Sequence, residues 1–153
     1  NKIMSKTAII TSANKGIGLA VAKDLIAKNY QVILACRDTA KGKMAEEFLG
    51  SNAIFLELDL SKPSSINHFV NQINSEYSEI DVLYNNAGLI YRDFELTEEG
   101  YESMIAVNYF GSFRLALVAF VLLLSRIPPF FSGVLLTVIA VYAWRKGYFD
   151  KFR

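Results

Sequence analysis

The sequence predicts an α/β fold, a doubly wound parallel sheet with helices on its faces. Two observations predict it. Apolar runs of strand length alternate with stretches whose apolar residues recur at helical spacing. The first run leads into a glycine-containing turn, Thr11-Ser12-Ala13-Asn14-Lys15-Gly16-Ile17-Gly18, at which a helix opens. Composition agrees: 153 residues with 52% hydrophobic and 20% charged content suit one domain with a real core and exclude a disordered chain. A net charge of +1 gives no reason to expect nucleic acid as a partner. Cys36 is the sole cysteine, so no internal disulfide forms and a reducing, cytoplasmic setting is expected, with no basic-then-apolar signal opening the sequence.

In chain order, residues 7–10 read as a buried strand. The helix after the turn runs to about residue 28, with Ile17, Val21 and Leu25 four apart and Ala22 and Ile26 beside them as its apolar face. Residues 31–36 are a second strand, followed by polar Arg37-Asp38-Thr39 and a helix over about 40–49, for which Asp38 is the expected cap. Gly50-Ser51-Asn52 ends that helix, residues 53–58 form a third strand, and Asp59 closes it. Ser61 and Pro63 signal the next helix start, and Ile66, Phe69, Val70, Ile73 and Tyr77 share one face of it, leaving His68 solvated. Residues 81–85 are a fourth strand that runs into Asn85-Asn86-Ala87-Gly88. Strands separated by helical crossovers make the sheet parallel and the crossovers right-handed.

A helix is expected again from Thr97, with Glu98 and Glu99 near its positive end. Residues 104–124 are apolar almost all round, and 130–144 are 15 residues without a charge. Asn108, Ser112 and Arg114 interrupt the first, so each uninterrupted apolar run is shorter than the ~20 residues a membrane span needs. A buried helix followed by a fifth strand at about 133–140 fits the alternation, with membrane contact through 115–144 as the alternative. The whole of 1–153 reads as a single domain.

Backbone N–H groups at a helix start are unpaired and carry partial positive charge, and glycines let a pyrophosphate approach them. The turn at 11–18 therefore suits a nucleotide phosphate. In dinucleotide folds an acid at the tip of the second strand bonds the ribose 2′-hydroxyl. Here that tip is Cys36-Arg37, with Lys15 in the nearby turn, and two cations suit the 2′-phosphate of NADP better than NAD. Asp38, 20 residues past Gly18, is the complication, read here as the helix cap.

These motifs, in this order and spacing over residues 6–114, resemble the short-chain dehydrogenase/reductase family, above all its retinol dehydrogenase and carbonyl reductase branches. The resemblance implies a Rossmann-like domain of about five strands, incomplete on its C-terminal side, and hydride transfer between a nicotinamide dinucleotide and a small carbonyl or alcohol substrate. It implies cofactor contacts from Ser12, Asn14, Lys15, Gly16, Ile17 and Gly18 of the Thr-Gly-x-x-x-Gly-x-Gly turn, with Arg37 after the second strand. It adds Asp59 and Leu60 at the adenine, and Asn86, Ala87 and Gly88 of the Asn-Asn-Ala-Gly motif. Asn108, in Val107-Asn108-Tyr109-Phe110-Gly111, is implied to support the catalytic proton relay, and the helix that carries it to form a homodimer interface.

Two departures stand out. Ser12 replaces the family's first glycine, where φ must be positive. Aligning 133–140 on the fifth strand puts Ile139 or Ala140 where the family's catalytic serine belongs. Tyr142 and Lys146 spell the family's Tyr-x-x-x-Lys but follow that strand at once, where the family's pair lies further on, on its own helix. A shortened oxidoreductase, a nucleotide-binding remnant without catalysis and a membrane-associated protein are the three readings this leaves.

Overall fold

A computed structural model describes residues 6–117. Within them, four strands form one parallel sheet: β1 (Thr7–Thr11), β2 (Gln31–Cys36), β3 (Ala53–Glu57) and β4 (Val82–Tyr84), in the order β3-β2-β1-β4. Helices α1 (Gly16–Ala27), α2 (Thr39–Leu49) and α3 (Pro63–Glu76) make the crossovers. A last helix begins as α4 (Ser103–Ile105), widens into a π-helical turn over Ala106–Gly111, and continues through 112–117. The α/β class and the parallel sheet are as the sequence predicts; the expected fifth strand, Ile139, Ala140, Tyr142 and Lys146 lie outside the described residues.

β1 is buried along its whole length, and its side chains sort by parity. Ala8 and Ile10, with Val32 and Leu34 of β2, face Ala22 of α1 and Ala45 of α2. Ile9, with Ile33, Ala35 and Leu56, faces Ile66, Phe69 and Ile73 of α3 and Val107 and Leu115 of the last helix. That is why strands one and two read as unbroken apolar runs and not as alternating ones.

The two ends of the β1–β4 pairing are held by side chains. At the start, the Asp81 carboxylate accepts from the Thr7 N–H (2.7 Å), and the Asp81 N–H donates to the Thr7 carbonyl (2.9 Å). At the far end, the Thr11 hydroxyl, 1% exposed, accepts from the N–H groups of both Asn86 (2.9 Å) and Ala87 (2.8 Å). The Asn86 amide returns the bond, donating to the carbonyls of Thr11 (3.1 Å) and Ser12 (3.3 Å).

Several expectations need correction. The helix expected from Thr97 begins six residues later, at Ser103. Residues 97–101 fold into a tight turn instead: Gly100 adopts φ 81°, Thr97 and Tyr101 bond across it, and Leu96 and Glu102 form an antiparallel bridge. Glu102, not Glu98 or Glu99, therefore caps the helix, accepting from the N–H groups of Met104 and Ile105. Ile17 is 70% exposed and leaves the apolar face of α1, which packs on the sheet through Leu19, Val21, Ala22, Leu25 and Ile26. The last helix is not buried all round as far as it is described. Ser103, Val107, Gly111 and Leu115, four apart, are buried, whereas Ile105, Tyr109, Phe113 and Leu117 form an exposed stripe. Strands three and four are shorter than expected, ending at Glu57 and spanning only Val82–Tyr84. His68 is exposed, and Asp38 caps α2 by accepting from the Lys41 N–H (3.0 Å), both as expected. No helix among the described residues is long and apolar enough to cross a membrane.

Thr11→Val keeps the shape of a buried side chain but leaves the Ala87 N–H without its acceptor and the Asn86 N–H with only the Tyr84 carbonyl (3.0 Å). Burying unsatisfied donors costs about 1–3 kcal/mol each, partly relieved by relaxation. Thr11→Val should thus lose roughly 1–3 kcal/mol of stability, read as a lower urea midpoint with an unchanged slope.

Candidate functional site

The order β3-β2-β1-β4 reverses direction between β1 and β4, and in such sheets a crevice opens at the carboxyl ends of the strands. A cleft of about 270 Å³ lies there. It is bounded by the ends of the strands and the segments that leave them: Thr11, Ser12, Asn14 and Lys15 at the end of β1; Cys36, Arg37 and Asp38 at the end of β2; Leu58, Asp59 and Leu60 after β3; Ala87, Gly88 and Leu89 after β4. Its volume lies just under the range of about 300–1,000 Å³ usual for small-molecule pockets.

The turn after β1 is tight. Ser12 sits at φ 54°, a left-handed conformation that a side chain disfavours, and its N–H donates to the Ala35 carbonyl (2.7 Å). The strain expected from serine in a glycine position is thus present. Gly18 is needed for contact: a Cβ there would come within 2.6 Å of the Ser12 carbonyl and 2.7 Å of the Asn86 amide nitrogen. The turn delivers Lys15 to the start of α1, where it contributes no side-chain cap. The first N–H groups of a 12-residue helix are left without a side-chain acceptor at that cap, which is the arrangement that attracts an anion.

On the opposite rim, Asp59 uses one carboxylate oxygen, Oδ1, to accept from both the N–H (3.0 Å) and hydroxyl (2.6 Å) of Ser61, while its own N–H donates to Ser65 Oγ (2.9 Å). This braces Asp59 at the cleft wall and leaves Oδ2 without a partner among the described residues. Leu60 beside it is buried, and the last helix presses on its backbone: a Cβ on Gly111 would collide with the Leu60 carbonyl. One turn away, the Asn108 amide is doubly bonded to the backbone of Leu89, accepting from its N–H (2.9 Å) and donating to its carbonyl (2.9 Å). Asn108 therefore fastens the loop that carries Ala87 and Gly88, and it does so from within the π-helical turn.

Of the residues singled out from the sequence, Ser12, Asn14, Lys15, Arg37, Asp59, Leu60, Ala87 and Gly88 line the cleft together. Gly16, Ile17, Gly18 and Asn86 do not: Gly16 and Ile17 are exposed at the start of α1, and Gly18 packs against Asn86, whose amide is committed to the end of β1. Sequence reasoning missed Ala35, Lys41, Leu58, Leu89 and Val107 as lining residues, read Asp38 only as a helix cap, and placed Thr11 and Cys36 at the strand ends without assigning them to the site. Lys41 alone was signalled, by its position three residues after a helix-capping acid.

Charge on the rim is mixed. The Asp38 carboxyl is held below its ordinary range, first by the hydrogen bond from the Lys41 side chain and then by the one from its backbone N–H. Cys36 forms part of the cleft floor, and burial, with a smaller contribution from the Asp38 charge, pushes its thiol from 9.0 up to about 11. It is a neutral wall, not a nucleophile.

The family model for short chain dehydrogenases matches residues 6–141. Retinol dehydrogenase 11 of Mus musculus is 38% identical over 119 residues, covering 74% of this chain and 38% of that protein. A crystal structure of a protein from Mycobacterium Paratuberculosis is 38% identical with a TM-score of 0.67, covering 74% of this chain and 41% of that one. L-Sorbose reductase from Gluconobacter frateurii, solved with NADPH and L-sorbose, shares the fold at a TM-score of 0.69 and 24% identity, over 80% of this chain and 49% of that one. The chain thus spans about two-fifths of the length of the curated relatives it matches.

Two measurements check the site as built. Ser12→Gly removes a left-handed penalty larger than the entropy glycine adds to the unfolded chain, so stability should rise by about 0.5–1 kcal/mol, read as a higher urea midpoint. Alkylation of Cys36, the sole cysteine, by iodoacetamide in the folded chain should increase with pH around a midpoint near 11; a midpoint at 9 would mean that the thiol is solvated.

Proposed function

The chain belongs to the short-chain dehydrogenase family, and from that premise we propose that residues 6–117 form the NADP-binding part of an oxidoreductase that acts on small carbonyl or alcohol substrates. Members of the family are oxidoreductases that use nicotinamide dinucleotides. The observation that carries the preference for NADP is Arg37. It stands at the tip of β2 on the cleft rim, where an acid would bond the 2′-hydroxyl of NAD, and Lys15 lines the same cleft from the turn after β1. A guanidinium offers a planar pair of donors to a phosphate, so Arg37 is the residue for the 2′-phosphate.

The remaining parts fit a dinucleotide whose adenosine half lies in the cleft. Leu58 and Leu60 give apolar walls for the adenine, and the free Oδ2 of Asp59 gives it an acceptor. The uncapped start of α1 suits the pyrophosphate. Ala87 and Gly88, small residues held by Thr11 and by the Asn108–Leu89 bonds, let the ribose lie close to the backbone. Asn108 enters this reading as a positioning residue, and the support for a proton relay that the family resemblance implies belongs to the same proposal. Bound in this way, the nicotinamide would supply or accept a hydride at a substrate carbon.

A second reading, nucleotide binding without turnover, is favoured by one observation: Ile139 and Ala140 lack the hydroxyl of the family's catalytic serine.

Titration of the chain with NADPH and NADH, followed by nucleotide fluorescence, tests the first reading. NADPH should bind more tightly, and Arg37→Glu should reverse the preference, weakening NADPH by roughly ten- to thirtyfold. Equal affinities that Arg37→Glu leaves unchanged would sink it. Oxidation of NADPH in the presence of small aldehydes and ketones then separates the two readings, since the second expects binding and no turnover.

A further inference from the structure

The acid after β2 is an apparent contradiction in an NADP site. Asp38 lies next to Arg37 on the same rim of the cleft, and a carboxylate there both repels a 2′-phosphate and attracts a 2′-hydroxyl. Its two oxygens, however, are both engaged. Oδ1 accepts from the backbone N–H of Lys41 at 3.0 Å, and Oδ2 pairs with the Lys41 ammonium at 2.7 Å. Lys41 itself lines the cleft.

We propose that Lys41 is a specificity-determining residue: by holding the Asp38 carboxylate it removes the one charge on that rim that would favour NAD over NADP. The inference rests on the reading of the cleft as an NADP site. Its physical basis is local. Asp38 is the cap of α2, and a residue three positions into that helix is the one whose backbone and side chain can both reach the capping carboxylate. For Asp38 to bond a ribose hydroxyl, it would have to leave both partners. The pair is substantially exposed, at 66% for Lys41 and 38% for Asp38, so it adds little to folding stability and the fold does not require it. Its consequence lies in the field at the cleft. With Asp38 neutralised, Lys15 and Arg37, neither of which is paired with an acid among the described residues, set the sign of the rim. Without Lys41, Asp38 stands as an unscreened like charge beside the phosphate.

The test uses the full chain with NADPH and NADH as probes, and three variants. Lys41→Met keeps the length and helix propensity of the side chain, and Asp38→Asn keeps a capping oxygen. Lys41→Met should lower the ratio of NADPH to NADH affinity roughly tenfold, and Asp38→Asn/Lys41→Met should restore it to within about threefold of the starting ratio. Arg37→Glu serves as the reference for loss of the phosphate site. A starting preference for NADPH that Lys41→Met leaves unchanged overturns this inference alone. A double variant no better than Lys41→Met also overturns it, because Lys41 would then act by touching the phosphate and not by masking Asp38. If the unmodified chain binds neither nucleotide, or prefers NADH, the NADP reading falls and takes this inference with it.

Discussion

The structure depends on one small junction, the hydroxyl of Thr11 with two backbone N–H groups of the β4 loop on it. A buried hydroxyl can accept twice, and here both acceptances come from consecutive residues, Asn86 and Ala87. The Asn86 amide then bonds back to the Thr11 and Ser12 carbonyls. These four bonds are made at the reversal point of the sheet, where no strand continues and backbone groups would otherwise be left unpaired. They fix the turn at 11–18 relative to the loop at 86–89, and thereby the two sides of the cleft. Gly18 follows from the same constraint, since the space a Cβ would need is filled by the Ser12 carbonyl and Asn86.

A second organising feature is the unequal treatment of helix starts. Asp38 caps α2 and Glu102 caps α4, each accepting from first-turn N–H groups. The start of α1 has only Lys15, whose side chain can accept nothing. α3 likewise starts uncapped, at Lys62, but α1 is the uncapped helix that opens beside the cleft, and its neighbour across the rim, α2, has an acid that is itself offset by Lys41. Both arrangements act in the same direction on the field in the cleft.

What was legible in the sequence is what local periodicity encodes. Strands one and two, the face of α3 with Ile66, Phe69 and Ile73, and the Asp38 cap depend on neighbours within a few residues. Boundaries failed where tertiary pairing decides. Residues 97–101 carry good helix-start residues, yet Gly100 at positive φ and the bridge between Leu96 and Glu102 close them into a turn. Ile17 has the right spacing for the core but is exposed, and Leu19 packs on the core from that end of α1. At the cleft, the polar rim could be read from motif spacing, because its residues are grouped after strand ends. Cys36, Leu58, Leu89 and Val107 could not, because each is apolar and looks like any other core position until the strand ends are brought together.

The Thr11–Asn86 junction joins residues 75 apart in the chain. The β1–β2 and β2–β3 pairings each close over a single crossover helix, so they return contacts early for the chain entropy they consume. β4 brings only three residues to the sheet and must close a loop that contains α1, β2, α2, β3 and α3. Contacts of such long separation are the slowest to be rewarded during folding. The docking of β4 is therefore the pairing with the largest loop to close, and it is the step that turns a stack of strands and helices into something with a mouth. Any molecule that fits that mouth binds the finished state alone and draws that step forward by mass action.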